Sequence, residues 1–260
     1  MLGITSPLLS SIPGISHRFF GRIGGTSPHP YNALNTSHDV DDAPARVDEN
    51  LARVRFQLGV GKDGLFTARQ VHGAAVVVVE AGADPQLVRA VEADALLSRS
   101  PGQGVGIRTA DCAPILLAVD DASAVVAVHA GWRGAVGGVI EAALKALDVD
   151  PSRVVAAVGP CIGLASFEVG PEVVAQARAV VDVDGLVRHG SGDRSFLDLA
   201  GLCQRVLERA GVSRVDVVGG CTVEQAALYF SHRRDHGHTG RQMSAIALAT
   251  PPDLDDESFA

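Results

Sequence analysis

Three apolar runs follow one another directly in the middle of the chain: GVGIRT (104–109), PILLAV (114–119) and SAVVAVH (123–129). Each has the length and the β-branched content of a buried strand, and two aspartates offer a turn between the last two runs. The next segment, 134–147, has the apolar spacing of a helix. Strands that follow each other directly do not fit the regular alternation of a doubly wound fold. The predicted class is therefore α/β or α+β with mixed sheets.

Segments on either side continue this mixture of helices and strands. A helix is predicted over 43–58, with Asp41 or Asp42 as its N-terminal cap and Gly59 at its C-terminal end. The same reasoning predicts strands at 74–80, 154–160, 212–219 and 243–249, and helices at 171–181 and 198–210.

Composition and charge narrow the class of protein. Nothing in the sequence reads as a repeat or a linker, so residues 1–250 are predicted to form one catalytic domain, followed by an acidic flexible tail at 251–260. The net charge of −8 argues against a nucleic-acid partner. No apolar run is long enough for a membrane span, and the N-terminus does not resemble a signal peptide. We therefore expect a cytoplasmic protein whose four scattered cysteines are reduced.

Three short motifs place metal-binding side chains at the ends of predicted strands. RQVHG contributes His72, RTADCAP contributes Cys112 and VHAGWRG contributes His129. Small residues beside each allow the backbone to turn sharply and present the side chains to a shared cleft. Two imidazoles and a thiolate suit zinc, which keeps a fourth position open in catalytic sites. Copper is the second metal that accepts these donors.

The same residues allow other interpretations. A cysteine after a strand is often a small buried hydrophobe, and a histidine there is often a hydrogen-bonded structural group. Alternatively, Cys112 is a nucleophile with His129 or His72 as its base and Asp111 orienting the base, as in a cysteine hydrolase or acyl transferase. A thiolate bound to a metal is not free to attack a substrate. A measurement of bound metal therefore separates these hypotheses.

A set of arginines, several of them beside glycines, indicates an anion-binding cleft. The planar guanidinium matches phosphate or carboxylate, and glycine lets backbone N–H groups approach an anion. The glycines around Trp132 lie at a predicted helix start, where the helix dipole is positive. Charges of this kind are also typical of a solvated surface. The arginines in question are Arg22, Arg69, Arg108, Arg133, Arg233, Arg234 and Arg241.

Other features are open to more than one interpretation. Residues 19–40, rich in Gly, Pro, Asn and Ser, are typical of a long irregular loop, either functional or mobile. Trp132 suits core packing or stacking on a flat ring. His232, His236 and His238 lie among Arg and Gly without a helix or strand to hold a metal geometry, so they are not predicted ligands.

Long stretches of the chain resemble the YfiH family, also called the laccase-domain or multicopper polyphenol oxidase family. Its members are regarded as zinc-containing purine nucleoside phosphorylases. The resemblance extends over residues 19–249, in the family's order. The matching segments are FFGRIGGTS, NALNTSHDVDD, QVHG, ADALLS, RTADCAPILL, VVAVHAGWRG, VGPCIG, FEVG and FSHRRDHGHTGR.

The resemblance implies a fold, a cofactor and an activity. The fold would be a layered α/β/β/α sandwich with mixed sheets, and the zinc ligands would be His72, Cys112 and His129. The implied reaction is phosphorolysis of adenosine, inosine or methylthioadenosine to ribose 1-phosphate and base, with adenosine deamination as a side reaction. The partners would be purine nucleosides and phosphate, and the protein a monomer or small homo-oligomer.

Roles for further residues follow as hypotheses from this reaction. Arg22, with Arg133 or Arg241, would hold phosphate, while Asn35 and Asp111 would hydrogen-bond the ligand or the groups around the metal. Arg22 and Asp111 are thereby predicted to act in catalysis together with the three metal ligands.

Departures from the family's pattern bear on substrate preference. HDVDD stands where members usually carry HVGDD, the late motif SHRRDHGHTGR has one residue more than usual, and Phe167 replaces a common tyrosine. An alternative activity is amide hydrolysis that removes a wrongly attached amino acid from a UDP-MurNAc peptidoglycan precursor. The older copper-oxidase description would need several copper centres, whereas the sequence offers one three-ligand set.

Overall fold

The structure, a computed structural model, describes residues 3–249. The predicted tail at 251–260, like the last residue of the predicted domain, lies outside the described residues. Within them the chain forms fourteen strands. These are β1 (Gly3–Ile4), β2 (Ile15–Phe20), β3 (Leu65–Phe66), β4 (Val76–Val79), β5 (Ala95–Ser98), β6 (Gly104–Thr109), β7 (Ala113–Val119), β8 (Val125–Ala130), β9 (Val154–Val158), β10 (Glu168–Val169), β11 (Val187–His189), β12 (Ser195–Leu197), β13 (Arg214–Val217) and β14 (Gln242–Leu248).

The same part of the chain contains seven α-helices and one short 3₁₀ helix, Pro151–Arg153. No helix among the described residues combines the length and the hydrophobicity that a membrane crossing requires. The α-helices are α1 (Pro7–Ser10), α2 (Pro44–Leu58), α3 (Pro85–Arg89), α4 (Trp132–Val136), α5 (Val139–Leu147), α6 (Pro171–Val180) and α7 (Leu199–Arg209).

The three runs in the middle of the chain form the strands around which the sheets are built. β7 and β8 pair antiparallel at the centre of a six-stranded sheet with the order β13-β9-β7-β8-β5-β4. β6 belongs instead to a five-stranded sheet with the order β1-β2-β14-β6-β3. Both sheets contain parallel and antiparallel pairs. The predicted mixed sheets are thereby confirmed.

Every residue of β7 and β8 is buried, because both faces of the six-stranded sheet are covered. Ile115, Leu117 and Val119 point to one face and pack against α5 and α7. Leu116 and Ala118 point to the other and pack against the five-stranded sheet. This alternation is the period of two expected along a strand. Full burial of each such leucine contributes roughly 2 kcal/mol.

The outer face of the five-stranded sheet is covered by α2. Val54 and Leu58 of that helix pack with Phe20, Met243 and Ala245. From one side to the other the layers are therefore helices, six-stranded sheet, five-stranded sheet and helix. The implied α/β/β/α sandwich is confirmed.

The helix predicted over 134–147 is two helices. α4 ends before the glycine pair at 137–138, and α5 begins after it. Gly138 has a φ of 89°, which interrupts a right-handed helix. A Cβ at Gly137 would lie 2.7 Å from the carbonyl oxygen of Arg133. The apolar period continues across the break, which is why the pattern indicates one helix.

The helix predicted over 43–58 forms, but its predicted cap does not. Its N-cap is Ala43, which makes no side-chain hydrogen bond, and Pro44 begins the first turn. Asp42 only accepts from the backbone N–H of Ala43. Gly59 ends the helix in the left-handed conformation, as predicted.

The loop predicted over 19–40 begins later than expected. β2 continues to Phe20 and pairs with β14, so only the residues after it form the irregular segment that leads to α2. A separate small sheet, β10-β12-β11, also has no counterpart among the predicted elements. Its strands are two or three residues long, too short to show a hydrophobic period.

Burial of His17 on β2 predicts an acid sensitivity of the fold. Its Nε2 accepts from the backbone N–H of Ser6 at 2.8 Å, and burial, aided by Arg18, lowers its pKa to about 4 against the opposing charge of Asp216. The unfolded chain therefore takes up this proton near pH 6.5 while the native protein does not. Stability falls as the pH drops from there towards 4, with His17 contributing about 2 kcal/mol of the loss between pH 7 and pH 4.5.

Urea unfolding of the protein and of His17→Gln at both pH values measures this contribution. Glutamine does not titrate and keeps an acceptor near the position of Nε2. We expect the variant to lose about 2 kcal/mol less stability than the parent on acidification. Equal losses in the two proteins would show that His17 is not the group responsible.

Candidate metal centre

The three donor side chains come from distant parts of the chain and lie together at one end of the six-stranded sheet. His72 precedes β4, Cys112 immediately precedes β7, and His129 lies near the end of β8. One donor atom from each lies within 4.8 Å of the other two. Cys112 Sγ is 3.7 Å from His72 Nε2. Ligands of one zinc ion lie about 3.5 Å apart, given Zn–S and Zn–N bonds of about 2.3 and 2.0 Å.

Strand pairing brings Cys112 to His129. β7 and β8 are antiparallel, with Pro114 opposite His129 and Ala113 opposite Ala130. Cys112, one residue further, therefore lies beside Gly131. A Cβ on Gly131 would lie 3.1 Å from Cys112 Sγ and 3.1 Å from His72 Cδ2. Glycine at this position leaves the space in which the two donors approach each other.

One donor residue and the residue before another donor have backbone conformations that are rare outside glycine. His72 has a φ of 59° and Asp111 a φ of 95°. The turn at Asp111 is held on several sides: its carboxylate accepts from Thr222 Oγ1 at 2.6 Å and from the N–H of Arg233 at 2.7 Å. Its carbonyl oxygen accepts from the N–H of Ile162. Such over-determined conformations are typical of functional sites.

Asp94 organises the site from behind, although it was not among the predicted site residues. β5 pairs with β8, which places Asp94, just before β5, against His129. The carboxylate is fully buried and accepts a hydrogen bond from His129 Nδ1 at 2.7 Å. It also accepts from the N–H groups of Val71, His72 and Gly73 at 3.2, 3.0 and 2.6 Å.

This arrangement orients both imidazoles. A proton on Nδ1 of His129 leaves the lone pair of Nε2, on the side of Cys112, free to bind a metal. Carboxylates commonly position histidine ligands in this way. The loop that carries His72 is held by the same carboxylate. The available signal in the sequence was an acidic residue directly before the buried strand ALLS, within the segment ADALLS.

The electrostatics favour a thiolate at Cys112. Burial raises the pKa of Cys112, but the charge of His129 and hydrogen bonds from both imidazoles outweigh it, and the pKa falls to about 6. Burial likewise opposes the charged form of His129, yet Cys112 and Asp94 raise its pKa to about 9. For Asp94, burial is outweighed by hydrogen bonds from His129 and the backbone, which lower the pKa. A cation that replaces the imidazolium proton would find its sulfur ligand already ionised.

The residues fit a zinc ion. The set combines two imidazole nitrogens and one thiolate, the separation of Cys112 Sγ from His72 Nε2 matches that of two zinc ligands, and Gly131 leaves room between them. The three donor residues also line an open cavity, from which water or substrate could reach a metal that they would hold. Within residues 3–249 no other group of three His, Cys, Asp or Glu donors comes together. A cluster of several copper ions therefore has no second donor set in the part of the chain that the structure describes.

A cavity of about 710 Å³ lies over the three donors. Its lining combines apolar and aromatic residues with five arginines and two carboxylates, Asp39 and Asp111. The apolar residues include Trp132, Ile162, Phe167 and Leu199. The cationic residues are Arg69, Arg108, Arg133, Arg233 and Arg241. An apolar wall suits a planar base, and arginines suit an anion.

Two of the predicted phosphate-binding arginines line this cavity. The guanidinium of Arg133 lies 4.6 Å from the centre of the Trp132 ring. Nη1 of Arg241 donates to the carbonyl oxygens of Thr239 and Gly240. Trp132 is half-buried and packs against the core, as the first interpretation predicts. It also lines the cavity, where stacking on a flat ring stays a prediction.

Arg22 does not lie with these arginines. It lines a separate cavity of about 650 Å³, together with Asn32 and His238. Its Nε donates to the carbonyl oxygen of Asn32 at 2.7 Å, and its Nη1 donates to that of Ala226 at 3.1 Å. The structure therefore gives no support for Arg22 as a catalytic or phosphate-binding residue at the metal. It connects the segment after β2 to the segment around Ala226.

Asn35 and Asp111 both have hydrogen-bond partners within the protein. The side chain of Asn35 is fully buried: its amide nitrogen donates to Asp42 and its oxygen accepts from the N–H of Arg241 at 3.0 Å. It does not line the cavity, and it positions the backbone of Arg241. Asp111 lines the cavity, but its carboxylate holds Thr222 and Arg233 and does not orient a histidine. The carboxylate that orients His129 is Asp94.

The remaining histidines and cysteines do not add a second metal site among the described residues. His232 lines the metal cavity, His238 lines the cavity of Arg22, and His236 lines neither. The four cysteines are free of disulfides, as predicted. Burial raises the pKa of Cys161 well above its ordinary value, so that thiol is protonated.

Comparison with known proteins places the chain in a family. The model of the family described as multi-copper polyphenol oxidoreductase laccase matches residues 16–249. A Deinococcus radiodurans protein named purine nucleoside phosphorylase is 42% identical over 238 residues, which cover 90% of this chain and 89% of that protein. The Escherichia coli protein named purine nucleoside phosphorylase YfiH is 36% identical over 230 residues, covering 87% and 91%.

Solved structures of related proteins share the fold of this chain. A Neisseria meningitidis protein assigned to DUF152 has a TM-score of 0.87 at 31% identity, with 96% of this chain and 100% of that chain covered. YlmD from Geobacillus stearothermophilus has a TM-score of 0.85 at 30% identity, with 94% of each chain covered.

Proposed function

Because the chain belongs to the YfiH family, whose family model is described as multi-copper polyphenol oxidoreductase laccase, and its relatives are named purine nucleoside phosphorylases, we propose that it is a zinc-dependent purine nucleoside phosphorylase. Its substrates are adenosine, inosine and methylthioadenosine with phosphate, and its products are the free base and the ribose 1-phosphate. Adenosine deamination is a side reaction of the same site. The observation that carries the proposal is the three-donor group at one side of a cavity lined with arginines and aromatic residues.

The donor set selects the metal in this proposal. His72, Cys112 and His129 would hold zinc, which supplies a Lewis acid when bound and polarises an oxygen or nitrogen of the substrate. Asp94 keeps the proton of His129 on Nδ1 and so keeps Nε2 available. Copper is the alternative metal for the same donors.

Phosphorolysis requires an anionic nucleophile beneath C1′ of the ribose. Arg133 and Arg241 line the cavity and are the cations that would bind phosphate and orient one of its oxygens towards that carbon. Trp132 and Phe167 provide flat apolar surface against which a purine would stack, with water excluded from that side. Residues of one cavity would therefore bind both the attacking phosphate and the departing base.

Phosphate dependence tests the proposal. The purified protein is incubated with adenosine, inosine or methylthioadenosine, with and without phosphate, and the base and ribose 1-phosphate are measured. We expect base release only with phosphate, and inosine from adenosine in its absence. The failure of all three nucleosides would reject the function. Release of an amino acid from a UDP-MurNAc precursor would instead support the amide hydrolase.

His72→Ala connects the activity to the donor set. Its metal content and its phosphorolysis are expected to fall together, since two donors remain. A variant that loses activity but keeps stoichiometric zinc would show that His72 is not a ligand. His232→Ala is the matched control: it removes a histidine of the same cavity that is not in the donor group, and should keep its zinc.

A further inference from the structure

Arg108 is a buried cation in the wall of the metal cavity. Its side chain is only 8% exposed, and it lines the cavity near the end of β6. Its backbone is held by the side-chain amide of Gln70, which donates to the Arg108 carbonyl oxygen at 2.7 Å and accepts from its N–H at 2.8 Å. Gln70 belongs to the loop that carries His72. Arg108 is therefore fixed relative to a metal ligand.

The guanidinium of Arg108 has few partners for its burial. It carries five N–H bonds. Among the described residues, Nη2 donates to the carbonyl oxygen of Ala68 at 3.0 Å, and Nη1 lies 3.4 Å from Asp39 Oδ2. The side chain of Asp39 is 70% exposed. A long ion pair with an exposed, solvated carboxylate contributes little, and a better anion displaces it at small cost.

The guanidinium of Arg241 lines the same cavity as that of Arg108. Burial is the main cause that lowers the pKa of Arg108, and the positive charges of Arg89 and Arg241 lower it further against the attraction of Asp39. Arg241 lines the cavity too. Burial lowers the pKa of its guanidinium, against the negative charges of Asp111, Cys112 and Asp39, which raise it. The cavity lining holds five arginines against two carboxylates, Asp39 and Asp111, so it carries an excess of positive charge. A dianion bound beside Arg108 and Arg241 would reduce that excess.

We propose that Arg108 binds the phosphate co-substrate, and that Asp39 occupies the same guanidinium when phosphate is absent. The pair is then a competition: the carboxylate at the cavity mouth leaves Arg108 when phosphate enters with two acceptor oxygens for the planar fork. Asp39 sets the phosphate affinity by opposing it. This inference rests on the proposed function and assigns a specificity residue within it.

Opposite changes in the two residues test the competition. In Arg108→Gln the KM for phosphate is expected to rise about 10- to 100-fold, as for a lost hydrogen bond to a charged group, with a smaller change in the KM for nucleoside. Arg108→Lys keeps the charge and should lie between. Because Asp39 is exposed, the Asp39→Asn variant is expected to fold. It should lower the KM for phosphate about two- to fivefold.

Asp41→Asn is the matched control for charge. Asp41 is exposed, lies two residues away and does not line the cavity, so its variant should keep the parent KM. An unchanged phosphate KM in Asp39→Asn, or an equal fall in Asp41→Asn, would overturn the proposal.

Calorimetric titration of the metal-loaded protein with inorganic phosphate gives a readout without turnover. We expect tighter binding by Asp39→Asn and weaker binding by Arg108→Gln than by the parent. Parent protein that performs phosphorolysis while Arg108→Gln binds phosphate normally would reject the role of Arg108 and leave the function intact. Parent protein that releases no base from any nucleoside would reject the function itself.

Discussion

Cys112→Ser is expected to leave the protein folded, without stoichiometric metal, and at least about 100-fold less active in phosphorolysis. The reason is that the thiolate is the only anionic donor in the group, with a pKa lowered to about 6 by its two histidines. A serine hydroxyl does not ionise at neutral pH and is a poor zinc ligand. Loss of a residue that only hydrogen-bonds a metal ligand typically reduces metal affinity or activity about 10- to 100-fold, so loss of a ligand itself should have a larger effect. Metal analysis and ribose 1-phosphate release from the same preparation measure both effects.

Cys221→Ser serves as the matched control. Cys221 is also partly exposed, and its Sγ accepts from the N–H of Gly163, a contact that serine keeps. The control should retain metal and activity. Alkylation distinguishes the remaining alternative: a ligated Cys112 reacts slowly until a chelator removes the metal. Rapid labelling of Cys112 in the untreated protein, with inactivation, would favour the cysteine-hydrolase hypothesis.

Asp94→Asn is expected to reduce both metal affinity and stability. Asparagine keeps the shape of the side chain, but it turns an acceptor of four hydrogen bonds into a group with one acceptor and one donor end. Zinc affinity should fall about 10- to 100-fold because His129 Nδ1 loses its carboxylate. The free energy of unfolding should fall by about 3 kcal/mol, because N–H groups of the 71–73 loop lose a buried partner. Competition with a chelating dye and urea unfolding measure the two effects.

Asp216→Asn controls for the loss of a structural carboxylate. Asp216 also accepts a backbone N–H, from Leu8 at 3.0 Å, but it lies on β13 and does not line the metal cavity. Its replacement should affect stability without changing zinc affinity. If Asp94→Asn lowered stability and left zinc affinity unchanged, Asp94 would be a purely structural residue.

The sequence alone was sufficient for much of the fold and for the donor set. The strands at 104–109, 114–119 and 123–129 were predicted to within two residues, because buried strands show continuous apolar runs. The motifs at the ends of predicted strands singled out His72, Cys112 and His129, whose residue types pointed to zinc, and the resemblance to a family made this set the main prediction. Both signals depend on the identity of residues and their near neighbours in the chain.

Only the tertiary structure decided which polar residues support that donor set. Asp94 meets His129 because β5 pairs with β8, and no local pattern reports which strands pair. Arg22, like Arg133, stands beside a glycine in the sequence, yet it lines another cavity. Hydrophobic period reveals whether a segment is buried, since it depends on neighbours along the chain. The partners of a buried charge depend on register and layer order, which arise only when the sheets pack.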